Sequence, residues 1–354
     1  MSDESLLPHI LDLATLDADR MPQDARKMAR LSLFDWIVVS LAGADQPLAD
    51  IIRNFVATEG GVEIAAVTGG AMRLPARAAA LANGTISHAL DYDDTHFAYI
   101  GHPSVAIFPA ALAAAEEMKG SADDVIDAFL LGAEATCRIG MVLGRDHYDA
   151  GFHQTATSGA FGATIAAARL YRLDRSAIRT ALGLVSSRAS GLKSQFGTMG
   201  KPFNAGAAAA NGIEAASLAR LGFTASHDAF AGPQSFLNAH HGVHDGLGIV
   251  WLLQVFLIGH CQSPSDFVNY GRVAVEAGLC LCNSFFVPAH GLTRRTPNLY
   301  ALGVEVADDH HGFWVIGICK LAQQRHESCL GFALIGTRNV AGVADDGLGV
   351  TQIC

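Results

Sequence analysis

The chain has 354 residues, half of them hydrophobic and 16% charged, with a formal net charge of −10. This is the composition of a globular protein that buries a large core without disulfide staples, in one large domain or two ordinary ones. The acidic balance argues against a nucleic-acid surface, but not against anionic substrates, because a site can be locally basic in an acidic protein.

The N-terminal segment MSDESLLPHILDLATLDADR is acidic and broken by Pro8. It lacks the basic start and apolar stretch of a secretion signal, and the early apolar run 36–42 is too short to span a bilayer. A cytoplasmic location is the expectation. Residues 25–42 carry Met28, Leu31, Phe34, Trp36, Val38 and Leu41 at mostly helical spacings and predict the first helix. Residues 64–68 are the one early strand candidate. Alanine, a strong helix former, dominates 77–90. The helix predicted over 104–118 follows Pro103 and stops at Gly120. The long amphipathic segment 122–143 opens beside Asp123 and Asp124, where acidic groups suit the positive end of a helix dipole. Segments 157–171, 175–187 and 204–221 complete the helical set. Alanine and glycine at this density let helices approach closely, so a dense, multi-layered, mainly α bundle is expected.

The character changes near residue 250. Residues 1–260 contain one cysteine, Cys137, whereas six fall from Cys261 to Cys354, and helical periodicity fades. No CxxC pair occurs. The C-x-C spacing of Cys280 and Cys282 is a weak metal or redox signal.

Four ionisable residues stand out at predicted helix ends marked by Gly or Pro. Asp91 follows the helix over 77–90, in HALDYDDTH. His102 precedes Pro103 in IGHPS, His153 lies in GFHQTATSG, and Lys201 lies in FGTMGKPFNAG. Three of the four stand at helix N-termini, where free N–H groups and the dipole attract anions. Removing a proton beside a carboxylate needs a base and a cation to hold the developing charge. Histidine serves as base or acid near neutrality, lysine neutralises a carboxylate, and aspartate orients a histidine or acts as base when desolvated. Blander readings stand beside this one. Asp91, Asp93 and Asp94 would form a solvated helix end, each lone histidine a turn or cap residue, and Lys201 a surface lysine. His240, His241 and His244 resemble a metal cluster with poor spacing for one helix face, and Asp94 with His96 is another metal candidate. GTMGKP lacks phosphate-loop spacing, and neither GxSxG nor HExxH occurs.

Four blocks, LANGTISHALDYDDTH at 81–96, GHPSVAIFPAALAAAE at 101–116, GAEATCRIG with the downstream GFHQTATSGAFGAT, and SQFGTMGKPFNAGAAAANG at 194–212, occur in an order that resembles the MmgE/PrpD family. The resemblance runs over about residues 5–250. It implies a large helical domain followed by a smaller α/β domain, an active site between them, a homodimer, and no metal or organic cofactor. It implies proton chemistry on small di- or tricarboxylic acids, by dehydration, decarboxylation or epimerisation, of the 2-methylcitrate dehydratase kind. The family's active-site aspartate falls on Asp91, its threonine on Thr95, its histidines on His102 and His153, and its lysine on Lys201. Thr95, Ser104 and Gln154 are the expected substrate contacts. Residues 1–254 form the expected helical domain. Residues 255–354 do not align and are expected to be a divergent, truncated or frameshifted remainder of the small domain. Loss of that half of the site would leave a non-catalytic remnant, the main rival reading. A metallohydrolase built on His240–His244 is a third.

Overall fold

The computed structural model describes residues 6–240 and, beyond them, five strand segments between 279 and 336. The chain divides into two units, Met1–Pro264 and Ser265–Cys354. In the second unit, β3 (Leu279–Cys282) pairs antiparallel with β4 (Phe285–Pro288). There β5 (Tyr300–Asp308), β6 (His311–Cys319) and β7 (Leu330–Gly336) form an antiparallel sheet in that order. The side chains of Cys280 and Cys282, His241 and His244, and the rest of the unmatched tail lie outside the described residues.

The first unit is helical. Its helices are α1 (Leu6–Ala14), α2 (Gln23–Gly43), α3 (Pro47–Ala57), α4 (Ala76–Ser87), α5 (Ser104–Met118), α6 (Ala122–Asp149), α7 (Gln154–Leu170), α8 (Arg175–Ser186), α9 (Gly200–Arg220) and α10 (Phe236–Ala239). The strand expected over 64–68 shrinks to β1 (Ala65–Ala66), paired antiparallel with β2 (Arg73–Leu74). Three helices, α1, α3 and the one-turn α10, come as additions to the segments predicted above. In α1, Pro8 occupies the first turn, where its missing N–H breaks no helical bond. In α3, Pro47 stands at the first helical position and sets the start.

Helices α5 and α7 are buried almost all round and form the centre of the bundle. Their neighbours pack through small residues. A Cβ on Gly206 of α9 would lie 2.2 Å from Thr85 Oγ1 and 2.3 Å from the Leu81 carbonyl oxygen of α4. A Cβ on Gly162 of α7 would lie 2.5 Å from the Gly132 carbonyl of α6. Glycine at these crossings lets backbones touch, which draws the N-termini of α5, α7 and α9 toward one place. Helix α6 opens with a reciprocal capping box between Ser121 and Asp124, as its acidic start implies. It runs to Asp149 rather than stopping at 143, with a break at Gly144 (φ 70°). Among the described residues no helix is long and apolar enough to cross a membrane.

Candidate active site

The site grows from the sixteen-residue excursion, 88–103, between α4 and α5. Helix α4 ends at Ser87, three residues before the sequence reading placed its end, and His88 is its C-cap. Asp91 then takes a left-handed conformation (φ 59°), which aspartate tolerates. The loop closes on itself where the His96 N–H donates to the Gly101 carbonyl at 2.9 Å. Buried Tyr99 anchors it, filling space that side chains at Gly101 or Gly140 would occupy. Ile100 is left-handed (φ 56°), an uncommon state for a β-branched residue, and immediately precedes Gly101 and His102. The strain is held where the chain must turn His102 inward.

Asp94 fastens the far end of the loop. Its Oδ1 accepts from the Ser104 N–H at 3.1 Å and its Oδ2 from the Ser104 hydroxyl at 2.6 Å, so it caps α5. Burial, opposed by these Ser104 bonds, raises its pKa to about 6. The Asp94–His96 metal pair therefore does not form. His96 is buried beside Tyr99 instead, and burial lowers its pKa to about 4.

Asp91, His102 and Lys201 come together. Lys201, in the first turn of α9, lies 2.5 Å from Asp91 Oδ2, and His102 Nε2 lies 3.6 Å from Asp91 Oδ1. The Asp91 side chain is 40% exposed, whereas those of His102 and Lys201 are 13% and 14% exposed. The Lys201 ammonium also sits 5.0 Å from the Phe196 ring centre. His153, N-cap of α7, is buried. Its Nδ1 lies 3.4 Å from the Asn204 amide nitrogen, and the edge of Phe196 meets its ring.

Two further residues belong to this cluster. Asp93 is not a solvated helix-end acid: its side chain is fully buried between two imidazoles. His88 Nδ1 lies 2.8 Å from Asp93 Oδ1, and His102 Nδ1 lies 2.9 Å from Asp93 Oδ2. The His88 ring is 4.8 Å from that of His102 and 6.1 Å from that of His153, nearly parallel to the latter. The signal for both was present in HALDYDDTH. Its three acids read as one polar turn, while the positive φ at Asp91 sends Asp91 outward and Asp93 inward.

The electrostatics follow from this packing. Burial opposes the charged form of His102, but the Asp93 carboxylate and then Asp91 outweigh it and raise the pKa to about 9. The Nδ1 of His102 faces only oxygens, of Asp93, the Asp94 carbonyl (3.1 Å) and Thr95 (3.3 Å), so it carries a proton and Nε2 is the nitrogen presented to Asp91. Burial also opposes the ionisation of Asp93, but the two histidines hold it well below the usual carboxylate range. His153 goes the other way. Burial first, and then the electrostatic influence of His88, His102 and Lys201, depress it far below ordinary histidine. The Asn204 amide donates to its Nδ1, so the neutral ring keeps its proton on Nε2.

Of the other expected contacts, Thr95 is exposed at the rim. Ser104 and Gln154 are fully buried, and their side chains bond within the protein, to Asp94 and to the Gly144 carbonyl. The donor atoms of His88, Asp91, Asp93 and His102 lie within 4.8 Å of one another, a spacing that would also suit a cation. Here Lys201 already occupies Asp91, and the two histidines occupy Asp93. The arrangement presents an acid–base pair at Asp91 and His102, a neutral imidazole at His153 and a lysine, at the N-termini of three helices.

A sequence model of the MmgE/PrpD N-terminal domain matches residues 13–245, which include every residue of this cluster. The chain is 31% identical over 219 residues to cis-aconitate decarboxylase of Aspergillus terreus, covering 60% of this chain and 45% of that protein. It is 36% identical over 157 residues to cis-aconitate decarboxylase of Homo sapiens, covering 43% of this chain and 32% of that protein. The Mus musculus enzyme of the same name is 35% identical over 156 residues, 42% of this chain and 32% of that protein. The chain thus spans less than half the length of these curated relatives.

Proposed function

We propose that this chain, which belongs to the MmgE/PrpD family, is a lyase acting on a small tricarboxylic acid, with cis-aconitate as the substrate to test first. The observation that carries this reading is the convergence of Asp91, His102, His153 and Lys201 where three helices begin. A polyanion needs such a place: Lys201 and the free N–H groups of the helix starts neutralise carboxylates, and Thr95 adds a hydroxyl at the rim.

Decarboxylation breaks the bond between a carboxylate carbon and its neighbour. Carbon dioxide departs, and the electron pair stays on the carbon framework, delocalised toward a remaining carboxylate. That carbanion needs one proton. His102 is charged at neutral pH and presents Nε2–H, so it is the donor; it is left neutral and is reprotonated by water. His153, held neutral, donates Nε2–H to the developing charge without adding a second cation. Asp91 holds His102 and Lys201 in the resting site. Ser104 and Gln154 support these groups from within the bundle.

The experiment is a panel of cis-aconitate, citrate, 2-methylcitrate and iminodisuccinate with the purified 354-residue chain, with products followed by proton NMR. Loss of carbon dioxide from cis-aconitate is the expected result. Turnover of 2-methylcitrate or iminodisuccinate instead would reassign the reaction within the same site. Absence of both turnover and binding for all four would favour a non-catalytic remnant.

A further inference from the structure

We propose that His88 is a positioning residue, which holds the Asp93 carboxylate so that Asp93 in turn fixes the orientation and tautomer of His102. The inference rests on the reading of His102 as the proton donor.

The geometry is a three-member chain. His88 Nδ1 is hydrogen-bonded to one oxygen of Asp93 at 2.8 Å, and His102 Nδ1 makes an ion-pair contact with the other at 2.9 Å. All the carboxylate's described imidazole contacts are therefore Nδ1 contacts, which leaves His102 Nε2 as the nitrogen facing Asp91 and the open side. A carboxylate gripped at one oxygen only would turn about its last bond, and the His102 ring would turn with it. Two imidazoles, one on each oxygen, remove that freedom.

His88 is an expensive choice for mere packing. Its side chain is fully buried, and Nε2 has no hydrogen-bond partner among the described residues. Burying an unmet ring nitrogen carries a desolvation cost that leucine would avoid. The polar function of the ring runs through Nδ1, toward Asp93 and, at 3.9 Å, Asp91. Its location explains how it reaches them. As the C-cap of α4 it sits at the root of the catalytic loop, with its ring beside those of His102 and His153. The charged and titratable groups around His102 are Asp91, Asp93 and Asp94 of the loop, His88 of α4, His153 of α7 and Lys201 of α9. His88 is the one among them that meets the Asp93 oxygen not taken by His102.

The test compares His88→Leu, which removes the donor, with His88→Asn, whose amide N–H stands close to where Nδ1–H was. Two readouts are needed: the kcat and KM of the full chain on its best panel substrate, and the pH titration of the His102 imidazole by nitrogen-15 NMR in resting protein, assigned by its loss in His102→Gln. For His88→Leu the expected result is a kcat about 10-fold or more lower, the scale for losing a group that orients a catalytic side chain, with KM within about 2-fold of wild type. The His102 titration should fall from about 9 toward an ordinary histidine in the same variant. His88→Asn should keep both near wild type. If His88→Leu does not fold, His88→Gln, a donor one bond too long, takes its place. Equal behaviour of the Asn variant and the donor-deficient variant, or an unmoved His102 titration in the latter, would overturn the proposal. The titration needs no substrate, so an inactive wild type with a shifted titration would refute the lyase reading and leave the positioning role standing.

Discussion

Lys201 Nζ lies 2.5 Å from Asp91 Oδ2, joining the first turn of α9 to the turn after α4 across 110 positions of the chain. The resting site is therefore charge-paired, and an arriving carboxylate must compete with Asp91 for the ammonium. Lys201→Met should raise KM about 10-fold or more, the scale of a lost charge-assisted hydrogen bond, with a smaller effect on kcat. Steady-state kinetics on the active panel substrate checks this. An unchanged KM would remove Lys201 from substrate binding.

The pH dependence follows from His102. Its folded-state pKa, about 9, lies above the ordinary 6.5. A group raised in this way lends stability that is complete below about 6.5 and is lost as pH rises through 9. Turnover that needs the imidazolium should fail over the same alkaline limb. Chemical denaturation from pH 6 to 10 should show stability declining toward the upper end, and His102→Gln should flatten that decline. His153 acts in the opposite direction. Its depressed pKa makes its contribution complete above 6.5, and it is lost as pH falls below that value.

Asp35, on α2, lies close enough to the 88–103 loop for the backbone N–H of Asp94 to favour its ionised form. Burial, then the nearby Asp94 and Asp93 carboxylates, push it up to about 8. It is thus protonated at neutral pH, and its stabilising contribution, complete below 3.8, declines as pH rises through 8. Asp35→Asn imitates the protonated acid and should leave stability at pH 7 within about 1 kcal/mol of wild type. Asp35→Ala abandons the Asp94 N–H and should cost about 1–3 kcal/mol. Urea melts of the two variants decide the matter. Equal losses would contradict the protonated-acid account.

The α4–α9 crossing can be tested apart from chemistry. Gly206→Ala would press a methyl group against Thr85 Oγ1 and the Leu81 carbonyl and should destabilise the bundle by about 1–3 kcal/mol. Gly70→Ala, where the nearest atom is 4.0 Å away, is the control and should change stability by less than about 0.5 kcal/mol. A neutral Gly206→Ala would mean that the helices part at little cost.

The helical bundle was legible because its signals are local. The 104–118 segment reads as a helix from its proline start and apolar length, and α5 spans those residues. Helices α1 and α3 were not read, because a proline in a short segment looks like a break until its place in the first turn is known. Asp91, His102, His153 and Lys201 were legible as polar residues at helix ends. His88 and Asp93 were not, although both lie in the same nine-residue block HALDYDDTH. Their partnership depends on the left-handed turn at Asp91 and on the strained Ile100, and backbone conformations of that kind leave little trace in residue type when the residue is not glycine.

The most direct measurement is proton transfer itself. The 354-residue chain is incubated with cis-aconitate in deuterated buffer, and the product is examined by NMR for deuterium at the carbon that lost carbon dioxide or at its allylic partner. The account predicts one solvent deuteron per turnover and a rate at least about 100-fold lower in His102→Gln, the usual scale for losing a general acid. Undiminished deuterium transfer by His102→Gln would contradict it.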